Sequence, residues 1–570
     1  MRALYLHNLP RNPERRQEGQ HQTTVMGASV FGWNALCALL EHGTYDAYFV
    51  AGLTDQKKEE LVGDGLTVES VKRLVAIPLG SRLPIKGSDQ VVLMTLDPHM
   101  RPLGTLRQKL RRPDAPVCGL IHSINSERVR FGILQQYFSG LCEADLLLCS
   151  SRAGMRTIEV YIEEIGRLLP ASITYRPRRA LVPLGVTIPP LDPEHRITLR
   201  QRLNIGAEDN IALFFGRLSQ MSKGDLGPLL VALSMLSRRE THIHLIIAGD
   251  DTQINEAPRL TALANELGCI QKLTIWPNPS VNDKHVLYSA ADIFVSPSDN
   301  IQETFGLTVA EALSYGLPAV VSDWDGYRDI VSEGETGFLV PSLFPPHVEH
   351  LELHDCTTAM EEEDFLAQST TIDIPAIANN IQKLVCDSAL RKQMGRAARQ
   401  HAKENYSWPV IVKRYEELWE ESIQTAKTAP CDTARMNLLF RMPVEKSFGH
   451  FATGKRDWDC KCFITAEGRE WLRRPARLYF LCALHSPPTA QGFTRMLRAI
   501  ADCPGISVTT VVELFDKKGD QILAADANWS LARLFKYGLV TDTEKCIATG
   551  EDRSGVEERH MISESARCDL

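Results

Sequence analysis

No stretch of this chain is apolar for long enough to cross a bilayer, which takes roughly 18–20 residues. Its opening, Met1-Arg2-Ala3-Leu4-Tyr5-Leu6-His7, holds no extended apolar core, so no signal peptide is expected. An excess of positive charge is missing too. Lys and Arg number 63 against 71 Asp and Glu, a formal charge of −8 that argues against a dedicated nucleic-acid binder. The 14 cysteines are scattered, and the close pair Cys460-x-Cys462 has no second pair at zinc-ligand spacing. No metal is therefore expected. Cys37, Cys118, Cys149 and Cys386 sit in apolar surroundings and read as reduced, core-filling residues of a cytoplasmic protein.

What is present is ordinary globular material, 44% hydrophobic and 24% charged. At 570 residues the chain exceeds the roughly 250–300 that one core serves, so several domains are expected. One basic run, Arg101, Arg107, Lys109, Arg111 and Arg112, is either a solvated face or a landing place for an anionic acceptor or lipid headgroups.

Apolar runs alternate with helical patterns from the start. Strands are expected at Arg2–Leu6, 48–50, 90–95, 117–122 and 145–149, with a loop over Gly27 to Gly32 leading to a helix over 34–41. A proline-rich linker runs from Val182 to Pro193, and the alternation then restarts at 211–215, 243–248, 273–276, Ile293–Ser296 and Ala319–Ser322. Residues 342–375 read as an insertion, and 377–385 and 391–419 as closing helices. The pattern predicts two doubly wound α/β domains with a ligand crevice at the carboxyl ends of their strands.

Three groups of residues carry chemistry. Ser296-Pro297-Ser298 ends a strand, and Glu303-Thr304-Phe305-Gly306-Leu307-Thr308 leads through a glycine loop into a helix bearing Glu311. Unpaired amides at such a helix start favour a phosphate. Carboxylates beside it are suited to accept hydrogen bonds from sugar and ribose hydroxyls. Two glutamates alone fit a helix macrodipole equally well. The second group, Gly216 to Gly224, places Arg217 and Lys223 six residues apart after a strand, where two cations stabilise a departing diphosphate. The third is His122 at a strand end. Asp323-Trp324-Asp325 and Asp457-Trp458-Asp459 have metal-site spacing but are not assigned one, and Asp250-Asp251 reads as a strand-end turn near the nucleotide.

Together these motifs resemble the E-x7-E signature of family 4 retaining glycosyltransferases of the two-domain B-type fold. The resemblance continues through Ser314 to Asp323, Gly326, Ile330-Val331 and Gly334 to Val340. It implies a glycosyl transfer from a nucleotide-diphosphate sugar to a hydroxyl of a sugar, lipid-linked glycan or small molecule, with no metal and no cofactor. By the same resemblance Glu303 contacts the donor sugar, Glu311 the ribose, and Phe305, Gly306, Leu307 and Thr308 the sugar and diphosphate. Arg217 and Lys223 clamp the diphosphate, His122 reaches the donor sugar from the first domain, and Gly27 approaches the donor phosphate. The segment Gly27 to Gly32 departs from the family in lacking its glycine doublet. Base recognition is expected around 276–280 and Asp250.

The expected organisation is a Rossmann-like acceptor-side domain over 1–190, a Rossmann-like donor domain over 191–424, an α+β winged-helix-like module over 431–550, and a disordered tail over 551–570. In the module, Phe463 to Leu472 resembles the wing-to-helix step of winged-helix domains, and Met496 to Val540 a helix-turn-helix. Residues 493–547 hold seven basic and seven acidic residues, which favours a protein partner over DNA. A sugar-nucleotide sensor that signals through this module is the alternative to an enzyme. A phosphorylase is a further one, although no pyridoxal-phosphate lysine is evident.

Overall fold

Strand β1 (Arg2–Leu6) is apolar along its length and buried on both faces, the pattern of a central strand in a parallel sheet. It seeds the first of two parallel sheets in the computed structural model. The structure describes residues 1–7, 9–10, 12, 27–51, 53–77, 84–220, 222–252, 254–346, 365–429, 458–481, 490–516 and 524–542. The chain divides into two compact units, one within residues 1–441 and the other chiefly within 442–570.

In the first unit, β2 (Ala47–Ala51), β3 (Leu74–Ile77), β4 (Gln90–Met94), β5 (Val117–Leu120), β6 (Leu146–Cys149) and β7 (Arg178–Leu181) join β1 in the order β3-β2-β1-β4-β5-β6-β7. The second sheet contains β8 (Asn210–Phe215), β9 (Ile243–Gly249), β10 (Leu273–Pro277), β11 (Ile293–Ser296), β12 (Ala319–Ser322) and β13 (Gly337–Val340), ordered β10-β9-β8-β11-β12-β13. Both are Rossmann-like, as expected. The winding reverses between β8 and β11, which pair through Ile293 with Ala212 and Phe294 with Leu213. Their carboxyl ends carry the Gly216–Gly224 and Ser296–Glu303 loops. The switch point therefore brings the two sequence-distant motifs together.

Several expectations need correction. The helix expected over 34–41 is Gly27–His42, so the stretch from Gly27 to Gly32 is its opening turns rather than a loop. Phe31 is buried there, and no glycine doublet keeps the backbone extended. The closing segment 391–419 is two helices, Ser388–Asn405 and Trp408–Thr428, with Pro409 near the start of the second. That second helix packs on the first lobe instead of the donor lobe: Trp419 meets Tyr45 at 5.5 Å, and Arg178 donates to Ser422 Oγ at 2.8 Å. Near its start the chain runs beside the earlier crossing, Val186 N donating to Tyr406 O at 2.8 Å. A Cβ at Gly185 would lie 2.3 Å from the Trp408 ring, so only glycine fits between the crossings.

The basic run is largely consumed internally. Arg107 is fully buried and forks onto Asp145 at 2.6 and 3.0 Å, and Arg112 is 9% exposed and pairs with Asp114 at 2.6 Å. Asp145 also accepts from the amides of Val117 at 2.8 Å and Cys142 at 2.7 Å, tying the start of β5 to the turn before β6. Cys386 is free but exposed at a helix end, so it is not the core-filling residue expected; Cys118 and Cys149 are free and buried, and Cys142 is disulfide-bonded.

The insertion is closed by β14 (Ser342–Leu343) pairing antiparallel with β15 (Thr371–Ile372). Residues 347–364 lie outside the described residues.

The second unit has β16 (Lys461–Ile464) between β17 (Ile506–Ser507) and β18 (Val540–Thr541), all antiparallel. Helices Ala466–Arg473, Ala490–Asp502, Val508–Asp516 and Ala524–Lys536 enclose a core that includes Cys462, Phe493, Leu531 and Leu539. Where a wing leading into a helix was expected after Phe463, the structure has the central strand β16 leading into the Ala466–Arg473 helix. Because β16 separates β17 from β18, these two form no hairpin from which a wing could extend among the described residues. The expected tail over 551–570 lies outside them.

Asp145→Ala leaves the Arg107 guanidinium buried beside only carbonyl partners. A loss of about 3–5 kcal/mol is expected, read as a lower denaturant midpoint for the first unit. An unchanged midpoint would show that the pair contributes nothing to stability.

Candidate active site

The loop after β8 is held by Ser219, whose carbonyl accepts from Lys223 N at 2.9 Å and Gly224 N at 3.2 Å. This turn points Arg217 and Lys223 toward the loop that follows β11. Arg217 Nη2 donates to the Ser222 carbonyl at 2.8 Å and to Gln302 Oε1 at 2.9 Å. Lys223 forms an ion pair with Glu303, the two side chains 11% and 14% exposed. Burial works against the Lys223 ammonium, but the Glu303 charge and hydrogen bond hold its pKa above the ordinary value. Burial alone would raise Glu303. The Lys223 charge, their hydrogen bond, the Phe305 amide and Arg217 overcome it and keep the carboxyl below its usual range. Burial lowers Arg217, against the charges of Glu303 and Asp250.

Gly306 caps the Leu307–Ser314 helix at φ +106°, and a Cβ there would lie 2.5 Å from the Tyr327 ring. Val309 and Ala310 donate to its carbonyl at 3.0 and 3.1 Å, which leaves the amides of Leu307 and Thr308 ahead of the helical ladder. The Thr308 hydroxyl is buried without a partner. Glu311, further along, meets Lys284 Nζ at 2.7 Å and the Tyr288 hydroxyl at 3.4 Å.

From the first lobe, His122 Nε2 lies 2.6 Å from the Leu96 carbonyl, and its ring is 5.6 Å from Phe31. Burial lowers its pKa, while the Leu96 bond and Asp97 oppose that. A neutral ring donating to Leu96 carries its lone pair on Nδ1. The His122 carbonyl accepts from Thr304 Oγ1 at 3.0 Å, a direct bond between the lobes.

These groups surround one cavity of about 770 Å³, a volume suited to a small-molecule ligand. Glu303, Arg217, Lys223, His122, Glu311, Phe305, Leu307 and Thr308 all line it. Gly306 stands behind the lining, against Tyr327. Gly27 opens its helix, and the residues after it that line the cavity are Ala28 and Val30. Asp250, Asn278 and Ser280 line the end where base recognition was expected, whereas Trp276 stacks under Arg202 at 4.3 Å instead. Asp251 accepts from Ala257 N at 3.1 Å and serves the turn. Gln302 and Lys284 were not foreseen. For Lys284 the signal was there: Ser280 and Asp283 form a capping box, which fixes a helix start and puts Lys284 in its first turn beside the strand ends.

Two facing Rossmann-like lobes, with two cations, two carboxylates and a helix start in their crevice, define the B-type glycosyltransferase architecture. Residues 195–347 match the model of the family described as glycosyl transferases group 1. The chain is 36% identical over 176 residues to a D-inositol 3-phosphate glycosyltransferase of Geodermatophilus obscurus, covering 30% of this chain and 38% of that protein. It is 32% identical over 159 residues to a phosphatidyl-myo-inositol mannosyltransferase of Mycobacterium tuberculosis, covering 27% and 39%. The match thus spans less than two fifths of these relatives' length. A crystal structure of a glycosyltransferase from Rickettsia africae shares the fold, with a TM-score of 0.50 at 15% identity over 74% of this chain and 98% of that one.

Asp325 stands behind Glu303 in a left-handed conformation, φ +43°, with Oδ1 buried and unpartnered. Burial, then the Glu303 charge, push its carboxyl up to about 8; Asp329 adds to the rise, and the Gly326 amide and Arg328 oppose it. The folded chain thus keeps a proton that the unfolded chain releases near pH 4, and stability falls as pH rises from about 4 to about 8. Asparagine tolerates this backbone and carries no charge. Asp325→Asn is expected to match the wild type near pH 4 and to exceed it by roughly 1–3 kcal/mol at pH 9. Melting curves of the two proteins that stay parallel across pH would refute the raised value.

Proposed function

We propose that this chain is a retaining hexosyltransferase that moves a sugar from a nucleotide-diphosphate donor to a hydroxyl acceptor. One observation carries the reading: Arg217, Lys223, Glu303, Glu311 and the start of the Leu307–Ser314 helix converge on a single cavity. The bond between the anomeric carbon and the diphosphate breaks as the acceptor oxygen bonds to the same face. The acceptor proton passes to the departing diphosphate. Arg217 and Lys223 meet the charge that builds on that group, so this reading requires no metal and no cofactor. The amides of Leu307 and Thr308 supply further donors to the phosphates. Glu303 orients the sugar, Glu311 takes the ribose, and His122 reaches the sugar from the opposite lobe. Gly27, expected in a loop approaching the donor phosphate, opens the Gly27–His42 helix, and this reading gives the approach to Ala28 and Val30 beside it.

The family match lies in the donor lobe, so the acceptors named for the relatives do not carry over. A sugar, a lipid-linked glycan or a small molecule fits the reading. A cytoplasmic setting belongs to the reading as well; eight cysteines are free among the described residues, and the disulfide at Cys142 stands against it.

Thermal-shift screening against UDP-, GDP- and ADP-sugars tests the proposal. A ligand at about a hundredfold its Kd adds roughly 2.7 kcal/mol to the native state. One nucleotide class is expected to raise the melting point, with the rise lost in Glu311→Ala and Lys223→Ala. Turnover in Glu303→Ala and Lys223→Ala should fall by about 10²–10³. No shift with any nucleotide sugar would move the chain to a degenerate cleft with an interaction role.

A further inference from the structure

Glu311 does not stand alone in the crevice. Lys284 Nζ sits 2.7 Å from its Oε1, and the Tyr288 hydroxyl 3.4 Å from its Oε2. Lys284 and Glu311 are 22% and 16% exposed, and both line the cavity. The lysine is itself fixed. It belongs to the first turn of the Val281–Ala290 helix, whose start is locked by reciprocal bonds between Ser280 and Asp283. Its ammonium also lies 5.7 Å from the Phe215 ring centroid, at the end of β8. Tyr288 is held from the other side, stacked against Phe294 at 5.9 Å and Tyr315 at 5.2 Å.

Each carboxylate oxygen has two lone-pair directions. Lys284 takes one on Oε1, and the Tyr288 hydroxyl, shared between the Thr308 carbonyl at 3.3 Å and Oε2 at 3.4 Å, takes at most one on Oε2, so each oxygen keeps a direction for a ligand. That is two acceptors side by side, the complement of a vicinal diol. A glutamate left loose would lose rotamer freedom on binding, and its charge would repel an incoming diphosphate. Lys284 removes both penalties before the ligand arrives.

We propose that Lys284 is a positioning residue that fixes and neutralises Glu311, and so makes the site select ribonucleotide over 2′-deoxyribonucleotide donors. The proposal rests on the reading of Glu311 as the ribose contact. Lys284 need not touch the donor. Its role is to present both oxygens of Glu311 at once, so that losing one hydroxyl of the diol leaves a charged acceptor unpaired.

Calorimetric titration with UDP, GDP and ADP, each beside its 2′-deoxy counterpart, tests this. The wild type is expected to bind its preferred ribonucleotide about tenfold or more tighter than the deoxy form, the effect of one hydrogen bond to a charged group. In Lys284→Met, binding of the ribonucleotide should weaken about tenfold, and the ribo/deoxy ratio should fall below about threefold. Lys284→Arg should keep the ratio, and Lys284→Gln repeats the test in a polar side chain if the Met variant is unstable. In turnover, KM for the donor rises while kcat stays within about threefold, as expected for lost binding. A weakened Lys284→Met that keeps the full ratio overturns the proposal, because the lysine then acts through charge or fold alone. A wild type with no preference for the ribonucleotide fails the reading of Glu311 itself, and no lysine variant is needed to see it.

Discussion

Two cations buried in one crevice repel each other and lose their hydration unless something of opposite charge stands between them. Lys223 and Arg217 face that constraint in the absence of a polyanion, and Glu303 answers it for both. The arrangement keeps the lysine charged and the glutamate ionised. A diphosphate entering the cavity therefore meets cations already formed and already aimed. Lys284 repeats the device at the other end with Glu311. Two ion pairs, Lys223 with Glu303 and Lys284 with Glu311, thus line the cleft.

The lobes share one hydrophobic core through the crossing segments, and a few polar contacts join them near the crevice. Thr304 bonds the His122 carbonyl at 3.0 Å, one residue from Glu303. Asp329 takes both the Arg152 amide at 2.6 Å and its guanidinium at 2.7 Å, at the start of the Arg152–Leu168 helix. Tyr406 donates to the Asp329 carbonyl at 3.0 Å, and its ring lies 6.0 Å from Phe305.

The donor lobe was the most legible part of the sequence, because its strands are buried on both faces and read as uninterrupted apolar runs. The edge strands of the first sheet did not show. Arg178–Leu181, with two arginines and half its residues exposed, carries no such run, and Leu74–Ile77 lies at the opposite edge. The site residues were legible because each follows a strand end or opens a helix, where spacing has a fixed meaning. Lys284 and Gln302 escaped because each acts through a partner far away in sequence. Arg107 escaped for the opposite reason: a charged residue in a basic run gives no sign that it is buried. The C-terminal strand-to-helix step was readable, but not that β16 would separate the other two strands.

The return of the Trp408–Thr428 helix to the first lobe has a consequence for biosynthesis. That helix covers an apolar surface that includes Leu4, Phe31, Tyr45 and Tyr48, all in one core with Trp408 and Trp419. The last strand of the first sheet ends at Leu181, and the covering helix begins at Trp408, 227 residues later. At translation rates of about 5–20 residues per second the nascent lobe waits roughly ten to forty-five seconds for its lid. Through that interval it is a partly uncovered domain on the ribosome, sticky on one side, while the donor lobe is being made behind it. How long that apolar surface stays open during synthesis is set by the position of the covering helix along the chain, and has nothing to do with the crevice.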